Sequence, residues 1–240
     1  MSGLASRPLA AETEIEVGVH HTVEFLGITF NYDTILSTVL AGVIVLGLGL
    51  YMARRVSNRV PSRLQLAFET VTDAVQKQVD STIGPTAPFV VPLAVTLFFF
   101  ILLANWIELV PTEHALPSPT ADTNLTYAMA FFVVVWVHVA AVKQKGFRTY
   151  AKHYAQPYAV LVPLNILEEL AKPFTLALRL FGNIFAGGIM IALIGLIPAW
   201  LSWLPHGLWR GFDLLIGVIQ AFIFALLTIL YFSFALQDEH

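Results

Sequence analysis

Cysteine is absent from all 240 residues, so no disulfide staples this chain and the sequence carries no mark of its redox compartment. Charge is nearly as scarce: Asp, Glu, Lys and Arg make up 12% of the chain, about half of what a soluble domain carries. So few charges cannot make a solvated surface, which excludes an ordinary soluble enzyme. A GxxxxGK[ST] loop is missing, so nucleotide phosphates are not cradled here in that way. No internal or inverted repeat is visible, which argues against a transporter built from two related halves. The polar first 33 residues, with several acids and the pair His20 and His21, do not resemble a cleavable signal peptide. The formal net charge of −3 says little about partners; where the charges lie says more.

What is present is apolar. Hydrophobic residues account for 57% of the chain and the mean hydropathy is +0.74, the composition of an all-α polytopic membrane protein. A single membrane domain over 1–240 is expected, in which an extracytoplasmic segment 1–33 precedes five spans at 34–55, 88–110, 125–145, 160–195 and 207–236. The last two apolar runs would reach about 54 and 44 Å as continuous helices. Both outrun a hydrocarbon core of about 30 Å, so they should tilt strongly as a hairpin, kink, or project out of it. Between the first two spans, Leu64, Ala67, Phe68, Val71, Val75 and Val79 recur at helical spacing, while Asp73, Gln76, Lys77 and Asp80 fall largely elsewhere. This pattern over 62–83 predicts an amphipathic helix at the membrane surface. Arg54, Arg55, Arg59 and Arg63 follow the first span, and Lys143, Lys145, Arg148 and Lys152 follow the third. The connections 111–124 and 196–207 hold no Lys or Arg. The positive-inside rule then places the N-terminus outside and the C-terminus in the cytoplasm.

Polar residues inside such spans are few, and each needs a reason. Arg179 stands near the middle of an apolar run, where an arginine costs roughly 3 kcal/mol on insertion scales. A guanidinium cannot shed its proton to escape. Glu168, Lys172, Thr175, Arg179, Asn183, Ala186 and Met190 fall near one line on the fourth span, and Asp213, Gly217, Gln220, Phe224 and Tyr231 share a stripe on the fifth. Two such stripes suggest hydrated routes running partway through the bilayer from each side. Plainer readings compete. Glu168 and Lys172 have the favoured i, i+4 salt-bridge order. Thr175 and Asn183 could be interhelical hydrogen-bond glue, and Thr175 could bond its own backbone. His138 stands alone on its span, as a packing histidine would. Arg210 sits near the outer interface, and Asp213 could be its interfacial partner. Arg179 has the weakest structural alternative, because Glu168 is about 16 Å away along the helix. Gly182, Gly187 and Gly188 thin the helix surface beside it, suiting either static packing or a moving partner.

The run PLNILEELAKPFTLALRLFGNIFAGG, followed by IQAFIFALLTILYFSFA, resembles subunit a of the F-type ATP synthase membrane sector, and the earlier NWIELVP is similar to that family's second long span. The resemblance covers essentially the whole chain. AGG after RLFGN and the run FDLLIGVIQAFIF look most like the actinobacterial, including mycobacterial, branch. It implies a proton-translocating stator in a bacterial plasma membrane. Such a stator works against a ring of c subunits, is held by b-type peripheral-stalk subunits, and carries no cofactor, nucleic acid or catalytic site of its own. Arg179 matches the essential charge facing the ring carboxylate. Asn183 and Gln220 match polar positions facing the ring and lining the proton path, and Asn105 and Glu108 match the polar pair of the second long span. Two departures stand out. Gly188 occupies a position where many members have Glu, and Asp213 one where they have His. Asp213 is therefore expected to be the outer proton relay, with Asp122 or His114 near the outer mouth and Glu168, Glu169 and Thr175 along the path on the other side. An autonomous transporter or channel subunit with a midplane polar site, and a structural anchor whose charges only fix helix register, are the rival readings.

Overall fold

The computed structural model describes residues 22–25, 28–55, 61–84, 87–107, 119–153 and 162–236. Among the described residues seven helices dominate, and five of them are long and apolar enough to cross a membrane. Ahead of them lies an antiparallel pair, β1 (Thr22–Phe25) and β2 (Ile28–Asn31), with Thr22 opposite Asn31 and Phe25 opposite Ile28. The helical periodicity of the rest of the chain gave no sign of this pair.

Helix α1 (Tyr32–Arg55) begins directly after β2, with Asp33 in its first turn and Arg54 and Arg55 in its last, both favourable to the helix dipole. It buries only a narrow face, Asp33, Thr34, Ser37, Ala41 and Met52, against helix α3 (Val90–Ile107) and the short 3-10 turn Pro119–Ala121. Helix α2 (Arg63–Thr82) is the expected amphipathic helix. Ser62 caps it by accepting from Gln65 N at 3.2 Å. It stops at Gly84, whose φ of 76° lies in the left-handed region and whose N–H returns to Val79 O. Phe68, Val71, Val75 and Val79 turn inward, and Phe68 stacks on Phe99 of α3. Leu64 and Ala67, expected on that face, are exposed instead, because the inward stripe starts one turn later.

Helix α3 (Val90–Ile107) is apolar all round and sits at the centre, as such a helix must. Its main partner is α7 (Ala199–Leu236), and Ile101, Phe224, Ile229 and Phe232 are among the most completely buried side chains. Helix α4 (Thr123–Lys145) is capped at its start by Asp122, whose Oδ1 accepts from Asn124 N at 2.8 Å. It ends at Gly146, with φ 79°. The short α5 (Phe147–His153) follows, and its Tyr150 ring meets His138 edge-on at 5.9 Å. Helix α6 (Val162–Gly195) packs on α4 and α7.

The fifth span starts earlier than 207. Most of the connection 196–207 is helical, and only Leu196–Pro198 breaks the hairpin. Pro198 O accepts from Leu201 N and Ser202 N, launching α7 at Ala199. Pro205 lies inside the helix, beyond its first turn, and has no N–H to give Leu201 O, so one bond of the ladder is missing there. At 34 and 38 residues, α6 and α7 would extend about 51 and 57 Å.

Candidate functional site

Polar side chains from four segments gather beside α7. Asn31 Nδ2 donates to Asp122 Oδ2 at 2.6 Å, joining the end of β2 to the cap of α4 across 91 residues. Two residues before Asp122, the buried Thr120 hydroxyl donates to Asn105 Oδ1 at 2.7 Å. Asn105 Nδ2 reaches on to Gly217 O of α7 at 3.4 Å, a long contact, and the neighbouring Trp106 Nε1 points at Leu214 O at the same distance. Glycine at 217 makes this approach possible. A β-carbon there would stand 3.2 Å from Asn105 Cβ, closer than packed side chains tolerate without shifting.

One helical turn either side of Gly217 lie Asp213 and Gln220, so the chain of polar contacts ends between them. Asp213 is half-buried and lies against α6, where a β-carbon at Gly187 would be 3.4 Å from its Oδ1. Its carboxylate therefore occupies a notch that a glycine on the facing helix leaves open, one residue before Gly188. Arg210, one turn earlier on α7, attracts it electrostatically. Gln220 is 6% exposed, and its Nε2 is buried with no hydrogen-bond partner among the described residues. An unmade bond of that kind costs about 1–3 kcal/mol, a cost that bound water would relieve.

Arg179 behaves differently. It is exposed on the face of α6 shared by Thr175, Ala186 and Met190, and no described residue bonds its guanidinium. The hairpin is held together on both sides of it. Beyond it lies the Gly187–Asp213 contact, and before it Lys172 Nζ stands 5.6 Å from the centre of the Tyr231 ring. Each lies about 10–12 Å from Arg179 along the helix. Thr175 donates its hydroxyl to Lys172 O at 3.0 Å, the backbone bond anticipated among its readings.

The sequence-expected residues thus divide. Asp213 and Gln220 lie on α7 and Asn105 reaches it, with Asp122 joined to them through the neighbouring Thr120, while Arg179 and Thr175 line the open face of α6. Glu108 and His114 lie outside the described residues, as do the side chains of Glu168, Glu169 and Asn183. Thr120, Asn31 and Trp106 join the site without having been singled out. The cue for Thr120 and Asn31 was faint, a short polar residue ahead of a helix start, a position usually explained by capping.

The family model described as ATP synthase A chain matches residues 35–233. ATP synthase subunit a of Acidothermus cellulolyticus is 53% identical over 99% of this chain and 91% of the relative. ATP synthase subunit a of Mycobacterium tuberculosis is 48% identical over 95% of this chain and 96% of its own length. That of Bacillus subtilis is 38% identical over 92% and 98%.

Proposed function

Because the chain belongs to the ATP synthase A chain family, we propose that it is the proton-translocating stator of an F-type ATP synthase membrane sector, turning proton flow into rotation of a c-subunit ring. It sits in a bacterial plasma membrane with its N-terminus outside and its C-terminus in the cytoplasm, fixed against rotation by b-type stalk subunits. ATP chemistry belongs to other parts of the complex.

Protons enter from outside near Asp122 and Thr120, pass Asn105, and reach Asp213 in the Gly187 notch. Asp213 takes the proton and hands it to a ring carboxylate passing the open face of α6. Neutralised, that carboxyl faces lipid at low cost as the ring turns. On the other side of Arg179 it meets the second half-path, along Glu168 and Glu169, and releases the proton to the cytoplasm. Arg179 draws the ionised carboxylate toward it and keeps protons from crossing directly between the half-paths. A tight, fully desolvated pair would be a trap, so an exposed arginine that the carboxylate can leave suits turnover. Each proton moved through 100 mV supplies about 2.3 kcal/mol.

The observation that carries this reading is the exposed Arg179, between two cross-helix contacts and with no bonding partner among the described residues. A charge placed so in an apolar helix calls for a counter-ion from another chain. The test is Arg179→Ala in the intact complex. Proton-coupled ATP synthesis and ATP-driven pumping should vanish while subunit content stays at the wild-type level. Coupled synthesis at the normal rate would refute the assignment.

A further inference from the structure

We propose that Lys172 and Tyr231 form a clasp between α6 and α7 that fixes how α6 presents Arg179, making both of them positioning residues of the motor; this rests on the stator reading above. Helix α6 is weakest where the clasp sits. Pro173 lies inside the helix with no N–H to give residue 169, and its ring crowds that carbonyl. The carbonyl of Lys172 is also engaged by the Thr175 hydroxyl, a side-chain bond that tends to bend helices. One missing ladder bond and one shared carbonyl thus fall within about two turns before Arg179, on a stretch where Ala171, Phe174 and Thr175 are exposed. A helix weakened in this way bends more readily than a regular one.

The brace comes from α7. Tyr231 is half-buried, and the Lys172 ammonium stands over its ring at 5.6 Å, within the range in which a cation is attracted by a ring face. The part of α7 that offers the ring is itself anchored, because Ser233 Oγ donates to Thr82 O at the end of α2 at 3.1 Å, and the flanking Phe232 is fully buried. The clasp therefore ties the interrupted part of α6 to the fixed part of α7. With the Asp213–Gly187 contact at the other end, it holds the hairpin on both sides of the arginine. Gly187 lies off the open face, and Lys172, on the line of Arg179 two turns earlier, is half-buried with its ammonium over the Tyr231 ring, so the face around Arg179 stays free for the ring.

The test is a double-mutant cycle read as ATP-driven proton pumping by the intact complex in vesicles, with subunit content measured in parallel. Lys172→Met and Tyr231→Leu should each lower pumping about fivefold, the order expected for loss of one cation–ring contact. The double variant should fall no further than either single one. Lys172→Arg and Tyr231→Phe keep a cation and a ring, and should pump at the wild-type rate. Losses that multiply in the double variant would overturn the clasp, as would Tyr231→Phe falling as far as Tyr231→Leu. If Tyr231→Leu does not assemble, Lys172→Met with Lys172→Arg decides the matter, since neither alters the packed ring. Normal coupling in Arg179→Ala would sink the stator reading itself, whereas multiplying losses beside an inactive Arg179→Ala would sink only the clasp.

Discussion

The polar faces of α6 and α7 run along neighbouring helices of one hairpin, but they are finished in opposite ways. On α7, Gly217, Gln220 and Phe224 are buried, and Asp213 and Tyr231 are half-buried. Their polar atoms meet groups of this same chain, with the Nε2 of Gln220 left over. On α6, Thr175, Arg179, Ala186 and Met190 are exposed, and the strongest charge among them has no bonding partner among the described residues. A buried polar face has to be satisfied within the fold. An exposed charge in an apolar helix has to be satisfied by something that arrives. The difference assigns work to each helix: α7 carries a path that the subunit completes, and α6 carries a surface that the ring completes.

The comparison breaks most sharply at Asp213. If the closed face conducts, Asp213→Asn removes its one proton-accepting carboxylate while keeping size and polarity. Pumping should then drop by about a hundredfold or more, the scale on which a positioned proton-transfer group acts. The amide still fits beside Gly187, so assembly should be unchanged, as measured by subunit content. Wild-type pumping would reduce Asp213 to an interfacial partner of Arg210 and leave α7 without a relay.

A methyl group added to each face sharpens the contrast. At Gly217 it would stand 3.2 Å from Asn105 Cβ, so Gly217→Ala should force α3 and α7 apart. A cost of about 1–3 kcal/mol is expected from such overpacking. Thermal unfolding of the membrane sector should begin earlier, and the already long Asn105–Gly217 contact should open, cutting pumping several-fold. Gly182 is exposed on α6, and a β-carbon there meets nothing within 4 Å. Gly182→Ala should therefore not lower the unfolding temperature of the membrane sector, and can raise it slightly because alanine favours the helix, yet it should slow turnover where the ring comes close. Equal destabilisation by both substitutions would mean that the α6 face is closed as well.

Much of this was legible in the sequence, for identifiable reasons. Long apolar runs marked the spans, because a bilayer admits little else, and Arg179 stood out because a fixed charge there is expensive. Asp213 as a relay was readable only through the family resemblance, whose departures at 188 and 213 implied a carboxylate on the facing helix. The contacts that complete the α7 face were not. Asn31–Asp122 and Thr120–Asn105 join short polar residues of connecting segments, and nothing periodic distinguishes such residues from ordinary caps. The early start of α7 was hidden because Pro198 and Pro205 interrupt the apolar stretch, although one launches the helix and the other is carried inside it. The β1–β2 pair was hidden for a related reason, as two four-residue strands are too short to impose a pattern.

The smallest effect is expected at Thr175, which tests what kind of surface α6 presents. Its hydroxyl is exposed on the same face as Arg179, yet it donates to Lys172 O of its own helix. Thr175→Val keeps the branched shape and removes only that bond. A side chain already spent on its own backbone offers little to a passing proton, so pumping should change by less than about twofold and stability hardly at all. A loss of fivefold or more with the complex intact would show that the hydroxyl is shared with water on the proton's route. The inner half-path would then extend from Glu168 and Glu169 along the open face of α6 to Thr175, and the division of labour between the two helices would have to be redrawn around Lys172 and Thr175.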